Sequence, residues 1–220
     1  VDFDRLYYAI FATGTPPPPP SPTPTPSPTP PPSPTPLPSP VGTATARFLQ
    51  VDSSTQGNWK NIYGVDGYNV INDTINYPSY AQISAISNSS CVWASSTSSV
   101  QALQKAAIND RIAACWYQSP SFSIDVNLTD GQVHQMAIYA LDWDALGRTE
   151  TIGIVDAGTN ALLDSRTISA FSGGQYLVWN IQGHIKINVT KVAGINAVVS
   201  GLFFGSSGST PNLGNSVGKA

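Results

Sequence analysis

A tract rich in proline, serine and threonine divides this chain into two unequal parts. Residues 16–40 read PPPPPSPTPTPSPTPPPSPTPLPSP and contain 16 of the 19 prolines. Because proline has no amide donor and fixes φ near one value, and because Leu37 is the only other apolar residue of the tract, we expect no packed core there. The composition predicts a solvated polyproline II stalk over residues 16–45, roughly 75 Å long in its proline-rich part.

The residues before the stalk, 1–15, have the pattern of a single β-strand. They read VDFDRLYYAIFATGT: the pattern alternates through Phe3, Arg5 and Tyr7 and then becomes wholly apolar. A lone strand leaves its backbone donors and acceptors unpaired. We therefore expect it either to complete an upstream domain or to insert as a donor strand into a neighbouring copy, through Phe3, Leu6, Tyr8 and Ile10.

Charged residues are scarce in this chain. They make up 10% of it, with a net charge of −3, against about 25% in ordinary soluble domains. So few lysines and arginines predict no nucleic-acid partner, and no apolar run reaches the ~18 residues needed to span a bilayer. A Ser/Thr/Pro stalk next to a domain with few charged residues is typical of O-glycosylated extracellular proteins, so we expect a secreted or cell-surface protein.

Two kinds of covalent modification are open to the chain. Cys91 and Cys115 are its only cysteines, and they are either a disulfide formed in an oxidising compartment or two buried thiols. Four N-x-S/T sequons are candidate N-glycan sites, at Asn72, Asn88, Asn127 and Asn188. The alternation of the flanking residues places Asn127 and Asn188 on the solvent side of their strands.

Residues 46–205 show the period-two alternation of β-strands. In residues 121–128 the side chains of Phe122, Ile124 and Val126 share one face and Asp125 lies on the other. Strands are predicted over 46–52, 81–87, 91–94, 111–117, 121–128, 134–143, 149–155, 162–168, 175–181, 185–192 and 196–204. Only residues 99–107 suggest a short helix. With Gly- and Asn-rich turns between strands, this predicts an antiparallel β-sandwich of the jelly-roll type, followed by a flexible tail at 206–220.

The sequence contains none of the common catalytic motifs. It has no G-x-S-x-G elbow, no H-E-x-x-H, no phosphate-binding glycine loop and no C-x-x-C. His134 and His184 lie singly in apolar strands, and Glu150 is the only glutamate, so nothing nominates a pair of carboxylates for glycoside hydrolysis. We expect a protein that is not an enzyme and needs no cofactor.

Aromatic residues and glycines are concentrated in residues 57–68. This segment holds Trp59, Tyr63, Asp66 and Tyr68 within twelve residues. Aromatic faces and polar side chains match the apolar faces and hydroxyls of sugar rings, so these four residues and Trp143 are candidates for carbohydrate binding. The alternative is that the aromatics close one end of the sandwich while the glycines form turns.

A second cluster, LDWD followed by GR, brings two carboxylates together. Asp142 and Asp144 lie on one face if the predicted strand persists to residue 143, which makes them weak candidates for a Ca²⁺ site. Arg148 in the following turn competes for the same carboxylates. An Asp–Arg corner that fixes the hairpin is the alternative.

Three stretches carry a resemblance to a known family. GNWKNIYGVDGYNV, RIAACWYQSPSFSIDVNLTDGQVHQMAIYALDWD and GQYLVWNIQGHIKINV…NAVVSGLFFG resemble an accessory domain of large secreted bacterial proteins, whose fold is a galactose-binding-like β-sandwich, as in many carbohydrate-binding modules. The resemblance extends over residues 46–205 and is most specific in DGxxHQ and NAVVSGLFF. It implies a non-catalytic module and assigns no binding residues.

Two functions are therefore expected from the sequence. The first is a carbohydrate-binding module tethered to its neighbours by a glycosylated stalk. The second is a structural subunit of an extracellular filament or surface layer, assembled through the strand at residues 1–15. The resemblance favours the first.

Overall fold

The computed structural model describes residues 43–207, and these residues form fifteen β-strands and no helix. All strand pairings among them are antiparallel. The strands are β1 Thr45–Asp52, β2 Gly67–Val70, β3 Thr74–Asn76, β4 Ala81–Ile86, β5 Ser89–Ala94, β6 Leu103–Gln104, β7 Arg111–Gln118, β8 Ser121–Leu128, β9 His134–Ala140, β10 Thr149–Asp156, β11 Leu162–Ser169, β12 Gln175–Gln182, β13 His184–Ala193, β14 Ala197–Val199 and β15 Gly201–Ser206.

These strands make three sheets. The central sheet has six strands in the order β1-β12-β9-β15-β2-β3, and the outer sheet has five in the order β11-β10-β13-β8-β4. The small sheet has the order β14-β7-β5, with β6 also paired to β7. The central and outer sheets enclose a first hydrophobic core, so the arrangement is sandwich-like.

The middle strands of the central sheet, β12, β9 and β15, are buried on both of their faces. On β9, Met136 and Ile138 point into the first core, whereas Ala137 and Tyr139 point into a second core on the opposite side. The second core is closed by aromatic residues of the 53–66 segment and by apolar residues of β6 and β7. Strands buried on both faces need apolar residues at successive positions, which explains the continuous apolar runs of β9 and β12.

The predicted class, an all-β antiparallel sandwich, is confirmed in this coarse form. Alternation along Ser121–Leu128 is as expected, since Phe122, Ile124 and Val126 are buried and Asp125 is partly exposed. The single strand predicted over 196–204 is in fact two, β14 and β15. Ser200 separates them because its amide donates to the Tyr139 carbonyl while its own carbonyl accepts from Ile71, which moves the chain from the small sheet to the central one.

The short helix predicted over 99–107 does not form. Residues 103 and 104 instead pair with β7, Leu103 opposite Ile112 and Gln104 opposite Arg111. The preceding residues dock against Gly57, whose amide donates to the Val100 carbonyl at 2.9 Å. Burial of Leu103 and pairing to a strand edge therefore outweigh the local helix propensity of this segment.

Several predicted segments lie outside the described residues. They are the strand at 1–15 with its candidates Phe3, Leu6, Tyr8 and Ile10, nearly all of the stalk at 16–45, and most of the tail at 206–220. Within residues 43–207 no helix has the length and apolar character required to cross a membrane.

Candidate functional site

A cleft lined mainly by polar side chains lies at the start of β7. This cleft, of about 470 Å³ and here called the first cleft, opens between the β5–β6 connection and the loop that joins β6 to β7. Its lining residues carry hydroxyl, amide and charged groups: Ser96, Thr97, Ser98, Gln104, Asn109, Asp110 and Arg111.

Local hydrogen bonds set the shape of this cleft. The Lys105 amide donates to the Asp110 carbonyl at 2.9 Å and closes the loop between β6 and β7. Lys105 Nζ also lies 2.7 Å from Asp110 Oδ2, and Ser96 Oγ donates to Asp110 Oδ1 at 3.0 Å. The hydrogen bond from Lys105, with one from the Arg111 backbone, lowers the pKa of Asp110 to about 2, so this carboxylate is ionised at neutral pH.

Arg111 joins the cleft to the segment behind it. Its guanidinium donates to the Ala102 carbonyl at 2.9 Å and to Asn58 Oδ1. A planar guanidinium with several fixed partners holds one orientation. One side of the first cleft is therefore rigid, whereas Asn109 on the loop is exposed.

A second cleft, of about 430 Å³, lies beside residues 59–65. It is lined by Trp59, Lys60, Asn61, Tyr63, Gly64, Val65 and Ala106. Trp59 Nε1 donates to the Gln104 carbonyl at 2.7 Å, and the Lys60 amide lies 3.4 Å from Gln104 Oε1. Gln104 of the first cleft is therefore hydrogen-bonded to two residues that line the second.

Two of the four aromatics predicted to bind sugars, Trp59 and Tyr63, are core residues. Trp59 and Tyr63 are only 4% and 3% exposed. The Trp59 ring packs against Tyr68 at 4.6 Å between centroids, and the Tyr63 ring stacks on Tyr176 at 4.3 Å. Their faces are covered by other rings, which matches the alternative in which these aromatics close one end of the sandwich.

The other candidates for carbohydrate binding lie elsewhere. Asp66 lines neither cleft and accepts a hydrogen bond from Tyr80 at 2.9 Å. Trp143 is half-buried against the second core. The structure therefore brings Trp59, Tyr63 and Tyr68 together but does not assemble all five candidates into one surface.

Asp142 and Asp144 do not lie on one strand, because β9 ends at Ala140. Both carboxylates pair with the guanidinium of Arg148, which is only 2% exposed. Asp142 Oδ2 also accepts the amides of Gly147 and Arg148 at 3.0 and 3.1 Å. A cation would have to displace Arg148 from this corner, and among residues 43–207 no group of three or more His, Cys, Asp or Glu side chains is placed to hold a metal.

Sequence reasoning missed two features of the polar chemistry. The first is Glu150, which is fully buried, accepts the Val198 amide at 2.7 Å, and has its pKa raised by burial to about 8. Glu150 alternates in step with Ile152 and Ile154 on the same strand, and this pattern could have indicated that its side chain points inward. The second is the first cleft, whose Ser-Thr-Ser and Asn-Asp-Arg stretches flank the segment interpreted as a helix.

The sequon asparagines all reach the surface. Asn72 is exposed, and Asn88, Asn127 and Asn188 are partly exposed. Asn72 Nδ2 donates to the Cys91 carbonyl at 3.2 Å, and Asn188 Oδ1 accepts from Ser123 Oγ at 2.8 Å. Glycosylation at these positions stays a prediction.

No family model matches this sequence, and neither a curated protein nor a solved structure matches the chain.

Proposed function

We propose that this chain is a non-catalytic carbohydrate-binding module and that the first cleft is its binding site. The observation that carries the proposal is the convergence of hydroxyl, amide, carboxylate and guanidinium groups on one cavity of about 470 Å³. That volume falls in the usual range of small-ligand sites. Sugar hydroxyls both donate and accept hydrogen bonds, which suits a site where Asp110 only accepts and Arg111 only donates.

The chemistry of the site favours recognition over catalysis. Asp110 is the only carboxylate among the described residues that line either cleft, and the hydrogen bond from Lys105 lowers its pKa further below its usual value. Glycoside hydrolysis by the usual route needs a second carboxyl group that stays protonated. Because the aromatic faces are covered, binding rests on hydrogen bonds and is weak for a single site.

A tethered, extracellular module makes weak binding useful. We propose that the galactose-binding-like, jelly-roll subtype of sandwich applies here. We also propose that residues 16–42 form an extended polyproline II stalk, which ends before β1 begins at Thr45. Such a stalk holds the module near a polymeric glycan and raises its effective concentration there. The predicted N- and O-glycans belong to this extracellular setting.

Binding of the full chain to glycan arrays and insoluble polysaccharides tests the proposal. Asn109→Ala removes an exposed amide of the first cleft and leaves the Lys105–Asp110 pair in place. We expect at least a fivefold loss of affinity, about 1 kcal/mol for one hydrogen-bonding group. Asn76→Ala, at an exposed position of β3 that lines neither cleft, is the matched control. Binding by no glycan, or equal binding by wild type and Asn109→Ala, rejects the assignment.

A second function is favoured by the sheet edges. We propose as the alternative a structural subunit of a filament or surface layer, in which residues 1–15 of one copy pair with an edge strand of the next. β4 and β5 are edge strands, AQISAI and SSCVWA, without a charged residue or proline. Charges and prolines are the usual protection of an edge against strand addition, and Ile86 and Val92 are 44% and 45% exposed there.

Light scattering on the full chain and on a variant lacking residues 1–15 separates the two functions. Assembly requires that the full chain polymerises and that the truncated chain stays monomeric. A monomeric full chain, or polymerisation that survives the deletion, excludes assembly through this strand and leaves the binding proposal untouched.

A further inference from the structure

The two cysteines of the chain face each other across a pair of strands. Cys91 on β5 is the direct register partner of Cys115 on β7. Directly opposite residues in an antiparallel pair have Cα atoms about 4.5–5.5 Å apart, and disulfides form over about 4.4–6.8 Å. The backbone register therefore already satisfies the distance that a cross-strand disulfide needs.

The two side chains also lie on the same face. Cys115 belongs to the first core, and Cys91 packs against that core. Opposite residues of a strand pair project to one side of the sheet, so their sulfur atoms converge. Both cysteines are free thiols in the structure.

The two thiols differ in access to solvent. Cys115 is 1% exposed, and burial raises its pKa well above the usual value, so it is a poor first nucleophile. Cys91 is partly exposed on an edge strand, beside Val92, which is 45% exposed. An external reagent therefore reaches Cys91 first.

We propose that Cys91 and Cys115 are joined by a disulfide in the mature protein, formed by exchange with a low-molecular-weight disulfide or an oxidoreductase disulfide. The Cys91 thiolate attacks one sulfur of that disulfide, releases one thiol and becomes a mixed disulfide. Cys115 then attacks the Cys91 sulfur, the mixed bond breaks and the second thiol leaves. Two protein thiols lose two electrons and two protons, and the external disulfide is reduced to two thiols.

The bond has a structural consequence for the small sheet. β5 is held by β7 on one side only, and its ladder is interrupted by a bulge between Val92 and Ala94. A disulfide one residue before the bulge fixes β5 where Trp93 covers the buried guanidinium of Arg148, 5.6 Å from the ring centroid. The unprotected edge strand is thereby attached covalently to the centre of its sheet.

Thiol titration of the folded full chain tests the proposal. The protein is equilibrated with mixtures of reduced and oxidised glutathione, quenched with acid, unfolded, alkylated and weighed by intact mass spectrometry. As the mixture becomes more oxidising, we expect the number of alkylated thiols to fall from two to none. The oxidised chain should weigh two hydrogens less than the reduced, unalkylated chain and carry no bound glutathione. Its thermal midpoint should be higher by roughly 5 °C or more. Two alkylated thiols at every ratio, or a stable mixed disulfide that never closes, overturns the proposal.

Single variants check the order of the two steps. In Cys115→Ser, the folded chain should accept one glutathione at Cys91, because that thiol is partly exposed. In Cys91→Ser, the buried Cys115 should remain unreacted until the chain is unfolded. Near-UV circular dichroism confirms folding of each variant, and equal reactivity of the two folded variants contradicts the geometry from which the disulfide is inferred.

Discussion

At the scale of single residues, the most unusual group in the described structure is Glu150. It lies on the inward face of β10 with its carboxylate against the Val198 amide, and its second oxygen has no hydrogen-bond partner among the described residues. Arg148 and Asp142 are the charged groups near it, and their effects on its pKa oppose each other. Burial therefore decides the outcome, and the pKa of Glu150 is raised from 4.5 to about 8.

Substitution of Glu150 by glutamine should change how stability depends on pH. A carboxyl group whose pKa is higher in the folded chain stabilises the fold at acidic pH and loses that contribution as pH rises through about 8. Glutamine keeps an acceptor for the Val198 amide and cannot ionise. The difference in the free energy of unfolding between Glu150→Gln and wild type should therefore grow in favour of the variant as pH rises. The change from pH 5 to pH 8.5 should be on the order of 2–4 kcal/mol.

Urea unfolding of both proteins at the two pH values measures this gain. Wild type should lose stability across the interval more steeply than the variant does. Parallel pH profiles would show that the glutamate is either exposed or ionised in the folded chain, and would contradict its place in the core.

At the scale of elements, the walls of both clefts depend on a close approach of two loops. Gly57 stands where the 53–66 segment meets the residues before β6, and its carbonyl accepts the Gln104 amide at 3.0 Å. A Cβ at position 57 would lie 1.9 Å from the Ala102 carbonyl oxygen, which is backbone and cannot rotate away. Glycine is required here for space.

Gly57→Ala should consequently separate these loops and destabilise the fold by roughly 2–4 kcal/mol, as expected for a steric conflict with buried backbone. Gly131→Ala is the matched control, because a Cβ there meets nothing within 4 Å although its φ is +69°. We expect the control to cost only about 1 kcal/mol. Thermal unfolding monitored by circular dichroism compares the two, and equal losses would contradict the docking of the loops as described.

At the scale of the whole described domain, sequence periodicity predicted the sandwich but not the small sheet and the second core behind the central sheet. Alternation in Ser121–Leu128 and His184–Ala193 reports one buried face, so the outer sheet could be placed from the sequence. A strand buried on both faces shows no alternation, and β9 gave no sign of which side chains face which core. The short strands β2, β3 and β6 escaped prediction because they form only where the central and small sheets supply partners.

The candidate site was harder to predict than the fold for a related reason. The aromatics of residues 57–68 do gather, but Trp59 and Tyr63 are drawn into the second core by Tyr176 and Phe203. Those partners lie more than a hundred residues away in the sequence. A concentration of aromatics in one segment thus identified a structural cluster, while the polar groups beside it form the cleft.

The shared central sheet makes a final prediction about cooperativity. Ile138 and Tyr139 are adjacent on β9 and are both fully buried, one in each core. Because one strand supports both cores, loss of packing on either side should destabilise the other. Ile138→Ala creates a cavity in the first core and should cost about 2–5 kcal/mol. Amide hydrogen exchange should then accelerate equally in β8 of the outer sheet and in β7 of the small sheet. Acceleration confined to the outer sheet would show instead that the two cores unfold independently and that β7 is stabilised by the second core alone.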